Sequence, residues 1–326
     1  MALLLTRQEI ETLLPMSEAM AAVEAAFREH ALGNVIMPLR TTIRVHGGVN
    51  LGMPAYIGGD LDALGLKAVS VYNDNPARRG LPAVLATVLL NDAHSGALLA
   101  ILDGSWLTAM RTGAASGVAT RYLAREDARV ATVLGAGVQG RTQLMAVCEA
   151  RPIRQAYVYD LDQERSRGYA REMALRLGIE VVPATDLRQA VEAADVLCAA
   201  TSAQEPVFPG VWLRPGTHVN GVGSHAPKAR ELDSETVRRS LLVVDNREAA
   251  LAEAGDILIP LQEGTIAESH IHGELGQVIA GQVAGRTAQE QVTLFKSVGL
   301  ALQDVAAAAR VYALACERGI GQTLPL

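Results

Sequence analysis

The stretch Val130-Ala-Thr-Val-Leu-Gly135-Ala-Gly137-Val-Gln-Gly140 constrains the fold more than any other part of this chain. A short β-rich run leads directly into G-x-G-x-x-G, and a helical pattern follows over residues 140–149. In such a strand–turn–helix unit each glycine has a separate reason. Gly135 permits the tight turn, Gly137 lets the backbone approach a pyrophosphate, and Gly140 lets helix and strand pack closely. The helix N-terminus offers free N–H groups and a positive potential to phosphates. The next apolar run ends in Tyr157-Val-Tyr-Asp160, where a carboxylate can accept hydrogen bonds from ribose hydroxyls. Asp160 would also repel a 2′-phosphate, which favours NAD, while Arg165 nearby leaves NADP open.

The rhythm around that motif is that of a parallel, doubly wound sheet. β-type runs at 130–134, 156–159, 180–182, 196–200, 218–222 and 241–244 alternate with helical patterns such as 163–177. Ligands of such sheets sit at the carboxyl ends of the strands. Further cofactor contacts are therefore expected from Thr201-Ser202 and Val222-Gly223-Ser224-His225. The preceding part reads differently. Residues 6–32 carry helical spacing broken at Pro15. From 38 to 102, β-rich runs at 41–45, 67–72, 84–90 and 97–102 alternate with Gly, Pro and Asn turns, the pattern of a largely antiparallel sheet, and 106–123 returns to a helix. The tail, 288–318, reads as one long helix or two, packing back on the first domain. A chain of 326 residues, 49% hydrophobic but only 4% aromatic, calls for two domains built mainly from Ala, Val and Leu.

Composition removes several function classes. The net charge is −6 with both signs interspersed, so there is no basic stripe for nucleic acid and no polybasic segment for an anionic membrane. The longest apolar region, 83–102, contains Asn91, Asp92 and His94 and is not a membrane span; the opening apolar run is too short for a signal peptide. Cys148, Cys198 and Cys316 form neither a disulfide framework nor a metal spacing, and read as small apolar residues in a reducing cytoplasm.

What remains is a set of cations in apolar or glycine-rich settings: Arg40 after Met-Pro-Leu, Lys67 inside Leu66-Lys-Ala-Val, and Arg111 inside Leu107-Thr-Ala-Met-Arg-Thr-Gly. A buried cation is costly unless paired; a substrate carboxylate would be one partner, and the other readings are a structural ion pair or a solvated surface charge. Of the seven histidines only His225 falls in an expected ligand loop; His46, His94, His218, His270 and His272 read as loop or surface.

Four segments then carry a specific resemblance: Leu107–Ser116, Val133–Gly140, Arg230-Glu-Leu-Asp233, and Thr293-Leu-Phe-Lys-Ser-Val-Gly-Leu-Ala-Leu-Gln-Asp304. Over nearly its whole length the chain resembles the ornithine cyclodeaminase/mu-crystallin family. The resemblance implies an α/β fold in which a Rossmann doubly wound parallel sheet (116–289) is joined to an α+β substrate and dimerisation domain (1–115 with 290–326), assembled as a homodimer. It implies a substrate carboxylate held by Arg40, Lys67 and Arg111, with Val298 near the substrate. It implies dinucleotide contacts from Val138, Gln139, Asp160, Thr201, Val222, Gly223 and Ser297, beside the glycines Gly135, Gly137 and Gly140.

The sequence departs from the cyclodeaminase pattern in two places. His225, in Val222-Gly-Ser-His-Ala-Pro227, stands where those enzymes carry an aspartate for the substrate's side-chain amine, and Leu51-Gly52 precede Met53-Pro54 where an acid is expected. An imidazole cannot fix an ammonium as a carboxylate does. The leading expectation is therefore NAD(P)H-linked reduction of a C=N bond beside a carboxylate, as in a cyclic ketimine such as pyrroline-2-carboxylate, or amino-acid dehydrogenation. Lys67 and His225 are the proton-transfer candidates. The alternatives are ornithine cyclodeamination and a non-catalytic dinucleotide-dependent binder like the mu-crystallins.

Overall fold

The computed structural model describes residues 1–325. The chain divides into two compact units, Met1–Arg111 with the segment from Leu300 onward, and Thr112–Gly299.

In the first unit the strands lie in the order Gln322–Leu324, Ala2–Leu5, Leu98–Asp103, Val84–Asn91, Ala63–Val71, Gly48–Ile57 and Val35–Ile36, and Thr41–Val45 also pairs with Gly48–Ile57. All pairings are antiparallel except that of Ala2–Leu5 with Leu98–Asp103. Alternation along a strand sends every second side chain to one face. On Gly48–Ile57 that rule buries Leu51, Met53, Ala55 and Ile57, and on its neighbour it buries Ala63, Gly65, Lys67 and Val69. The C-terminal helix Ala301–Arg318 covers this face and also packs on the helix Met16–Ala31. Its run Ala306-Ala-Ala308 is wholly buried and allows a close approach. At Gly65 an added Cβ would lie 2.8 Å from the Leu89 carbonyl oxygen and 3.1 Å from a Val305 methyl. Leu302, Val305 and Val311 are fully buried on the same helix, each contributing about 1.5–3 kcal/mol by removal from water. Lys67 thus occupies a position that the strand pattern otherwise gives to small or apolar residues.

The second unit is an eight-stranded, wholly parallel sheet. Its order is Glu180–Pro183, Gln155–Tyr159, Val130–Leu134, Val196–Ala199, His218–Gly221, Val292–Lys296, Ser240–Val244, Ile271–Glu274. Strands covered on both faces read as continuous apolar runs, and Val196–Ala199 and Val292–Lys296 are buried at every residue. Tyr169, Met173, Leu144 and Val147 from two helices close one core over Val133, Ala156, Val158 and Val196. The chain winds from Val130–Leu134 outward to one side and resumes at Val196–Ala199 on the other, so the switch point of the winding lies between those two strands.

Several sequence expectations change here. The tail is not helical from 288. Val292–Lys296 is a central strand, and the helix begins only at Ala301. The opening run Ala2–Leu5 and the segment Ile271–Glu274 are also strands. His218 is not at the surface: it is buried in a central strand, its ring bonded to Thr293 and Asn220. Burial pulls its imidazole down to about 3, so it stays neutral. Cys316 is exposed, whereas Cys198 is buried. Among the described residues no helix is long and apolar enough to cross a membrane.

Candidate active site

Because all eight strands of the second unit are parallel, their carboxyl ends lie along one end of the sheet. The strand Val130–Leu134 ends at Gly135, whose φ of +99° is open to glycine and whose added Cβ would meet the Ala200 carbonyl oxygen at 2.6 Å. Gly137 begins the helix Val138–Ala150, and an added Cβ there meets nothing within 4 Å. Gly140 has no such room: its Cβ would lie 2.1 Å from the Gly135 carbonyl oxygen. Turn, open approach and close packing therefore fall to these three glycines in that order. Gly137 and Val138 are exposed and Gln139 half-buried, so the first helical N–H groups face an open side. Asp160 directly follows the adjacent strand, Gln155–Tyr159. Its Oδ2 accepts from the Ala136 amide at 2.9 Å and its Oδ1 from the Asp162 amide at 3.0 Å, which ties it to the glycine turn, and Arg165 Nη1 stands 3.8 Å away.

Three of the five strands on the other side of the switch point supply the remaining positions. Thr201 follows Val196–Ala199, Val222 and Gly223 follow His218–Gly221, and Ser297 and Val298 follow Val292–Lys296. The last turn is held by a residue that sequence reading passed over. Buried Asp245 accepts through Oδ2 from Ser297 Oγ at 2.7 Å, Val298 N at 2.8 Å and Gly299 N at 2.9 Å. His225 lies in an exposed stretch after Gly223, its Nδ1 3.3 Å from the Gly223 carbonyl oxygen.

The cations are grouped in the first unit. Lys67 and Arg111 are 1% and 5% exposed. Both converge on Asp304, which is fully buried on the C-terminal helix: Lys67 Nζ lies 2.7 Å from Oδ2 and Arg111 Nε 2.8 Å from Oδ1. Arg111 also donates through Nη1 to Gln303 Oε1. That bond orients the amide so that Gln303 Nε2 is a buried donor with no hydrogen-bond partner among the described residues. Half-buried Arg40 precedes Thr41–Val45, and its charge also reaches Lys67. Burial, with the positive charge of Arg111, pulls the Lys67 ammonium down to about 7; Asp304 opposes this, and Arg40 adds to it. Neutral and charged Lys67 are then both populated near neutrality, the condition under which a general acid–base works best. Asp304 and Gln303 were legible only as a resemblance motif. The signal available was that two cations in apolar settings require a counter-charge, and a carboxylate in the Ala-rich stretch of a helix can supply one.

The comparisons with known proteins agree with this architecture. Residues 1–319 match the ornithine cyclodeaminase/mu-crystallin family. A Delta(1)-pyrroline-2-carboxylate reductase of Bacillus cereus is 38% identical over 325 residues, covering 99% of each chain. The structure of Thermococcus litoralis Delta(1)-pyrroline-2-carboxylate reductase in complex with NADH and L-proline superposes with a TM-score of 0.96 at 51% identity, covering 99% of this chain and 100% of that one. An archaeal alanine dehydrogenase dimer with bound NAD gives 0.94 at 36% identity, covering 100% and 99%. A nucleotide-type glycine turn, a buried lysine–arginine–aspartate cluster and likeness along the full length converge: the chain belongs to the ornithine cyclodeaminase/mu-crystallin family.

Proposed function

We propose that this protein is an NAD(H)-dependent reductase of small cyclic imino acids, with Δ1-pyrroline-2-carboxylate as the leading substrate and L-proline as the product. The observation that carries the reading is the full-length likeness, at 51% identity, to a reductase solved with NADH and L-proline. Two features of this chain support it. The open approach at Gly137 and the carboxylate of Asp160 suit a pyrophosphate and a ribose diol, and the cluster of Arg40, Lys67 and Arg111 suits a substrate carboxylate. Ser297, Thr201, Val222, Gly223, Val138 and Gln139 are assigned to the dinucleotide, and Val298 to the substrate's edge.

When bound, the reduced nicotinamide supplies the hydride taken up by the imine carbon. Arg111 and Arg40 hold the carboxylate and so fix which face of the C=N bond is presented. Lys67 gives a proton to the imine nitrogen, which completes a secondary amine. The incoming carboxylate adds negative charge beside Lys67 and favours its protonated form, so substrate binding readies the acid. His225 is a second proton-transfer candidate. Homodimer formation is supported by the apolar side chains that the first unit leaves exposed, Ile36, Leu39, Ile43, Val45, Leu81 and Leu85. A reducing cytoplasm suits the three free thiols.

The deciding assay has two arms on purified protein. One follows NADH and NADPH consumption with pyrroline-2-carboxylate, piperideine-2-carboxylate, and pyruvate plus ammonia. The other follows ammonia and proline formed from ornithine with NAD. Turnover of a cyclic imine with NADH and none of ornithine is expected; ornithine deamination without imine reduction overturns the proposal. Gly137→Ala adds a test of the cofactor site. The extended backbone there (φ −85°) accepts alanine, and losing a glycine cap costs under ~1 kcal/mol. The variant should melt close to wild type yet bind NADH at least about tenfold more weakly, because its methyl occupies the pyrophosphate approach. Unchanged NADH affinity by fluorescence titration would remove this turn from the cofactor site.

A further inference from the structure

The segment Arg230-Glu-Leu-Asp233 has no part in the chemistry above, yet its glutamate is fully buried directly behind two of the ligand loops. Glu231 Oε1 accepts from the Thr201 amide at 2.5 Å and the Thr201 hydroxyl at 2.7 Å. Its Oε2 accepts from the Gly223 amide at 2.6 Å and the Ser224 amide at 3.1 Å. One carboxylate therefore joins the ends of two neighbouring strands, Val196–Ala199 and His218–Gly221. The approach is too close for any side chain at position 223, where a Cβ would lie 2.3 Å from the Thr201 carbonyl oxygen and 2.4 Å from Glu231 Oε2.

Glu231 is itself held. Asp256 Oδ1 accepts from the amides of Glu231 at 2.8 Å and Leu232 at 2.9 Å. Asp256 Oδ2 pairs with Lys296 Nζ at 2.7 Å, and Lys296 Nζ donates to the Ser224 carbonyl oxygen at 2.6 Å. The circuit closes on the loop it holds, and every side chain in it is buried. An acceptor-only carboxylate with four donors has its lone pairs filled. Burial pushes the Glu231 carboxyl up, with Lys296 acting against that rise.

We propose that Glu231 is a positioning residue whose carboxylate clamps the Thr201 and Gly223–Ser224 loops together in the geometry that receives the dinucleotide. The inference rests on the assignment of these loops to the cofactor. A glutamine at 231 can accept from one loop only, because its NH2 faces backbone N–H donors on the other, and an amide N–H cannot reverse its direction.

The test compares wild type, Glu231→Gln, Glu231→Asp and Val191→Ala, the last being a core truncation in a helix away from these loops. Glu231→Gln should raise the NADH Kd at least about tenfold and lower kcat, while the control leaves NADH affinity within about twofold whatever its loss in Tm. Because Lys67 is pulled down to about 7, wild-type kcat/KM should change near that pH, and Glu231→Gln should leave that change in place, since the clamp does not touch Lys67. Amide hydrogen exchange at 201–203 and 223–224 should quicken in both loops together without any ligand present. If Glu231→Gln does not fold, Glu231→Asp, which retains the charge but falls one methylene short, should show the same changes in smaller measure. NADH affinity and loop exchange matching wild type in whichever variant folds overturn the clamp. A wild type that reduces no imine overturns the functional reading instead, and leaves the exchange result standing.

Discussion

Lys67→Met removes imine reduction while leaving a folded protein. Methionine keeps the length of the side chain and discards its charge, and Asp304 retains Arg111 as a partner. Removing one member of a buried ion pair commonly costs ~3–5 kcal/mol, but Asp304 keeps Arg111 and the burial penalty on the Lys67 charge is relieved, so the fall in Tm should be well below that of Asp304→Asn. A positioned acid contributes roughly 10²–10⁴-fold to rate, and kcat/KM should drop within that range. The pH profile provides an independent reading. With Lys67 titrating at about 7 in the free enzyme, and its protonated form competent for reduction, wild-type kcat/KM should hold below that pH and decline above it. Oxidation of proline, which requires the neutral lysine, should show the opposite limb. Lys67→Met should lose both limbs. A variant that keeps more than a tenth of wild-type kcat/KM, or that retains the limb near 7, removes Lys67 from proton transfer.

Asp304→Asn should be the most destabilising single change in the first unit. It strips the shared counter-charge from two cations that are almost wholly buried. Breaking one side of a buried ion pair typically costs ~3–5 kcal/mol. The two cations differ in their way out. Lys67, already down at about 7, sheds its proton cheaply, whereas Arg111 cannot be neutralised. Arg111 therefore dominates the loss at neutral and higher pH. Without Asp304, which acts to raise the Lys67 value, the variant's lysine titrates below the wild type's.

The pH dependence of that deficit follows by linkage. Between the variant's lowered value and about 7, folded wild type keeps the Lys67 proton and the folded variant does not. The unfolded chain binds that proton throughout, so the variant's stability rises with pH across this window while the wild type's does not. The deficit should be largest at mildly acidic pH and shrink as pH approaches 7. Thermal melts at two pH values either side of that point read it as a fall of roughly 6 °C or more at the acidic value, using ~2–4 °C per kcal/mol for a domain of this size. Melting within 2 °C of wild type at both pH values would mean that the cluster is not coupled through Asp304.

Much of the second unit was legible in the chain because its determinants are local. Val130–Gly140 specifies strand, turn and helix within eleven consecutive residues. Alternation of strand and helix makes the sheet parallel, and parallel strands bring their carboxyl ends, with Thr201, Val222, Gly223 and Ser297, to one end of it. The tail misled because Val292-Thr-Leu-Phe-Lys is a short run with no clear alternation of apolar and polar residues, and periodicity cannot separate a buried strand of that length from a helix. Only a vacant place between His218–Gly221 and Ser240–Val244 decides it. Lys67, Arg111 and Arg40 stood out as cations in apolar settings, but their partner could not be read. Asp304 lies 193 residues from Arg111, and a contact across that separation is made by packing the C-terminal helix on the sheet. The sequence by itself determined the glycine turn between strand and helix and singled out cations in apolar settings, because propensity, spacing and charge act over a few residues. The tertiary structure alone decided that one buried aspartate joins the lysine and the arginine and that one buried glutamate ties together two loops at the carboxyl ends of neighbouring strands, because burial and hydrogen-bond geometry exist only once distant segments have met.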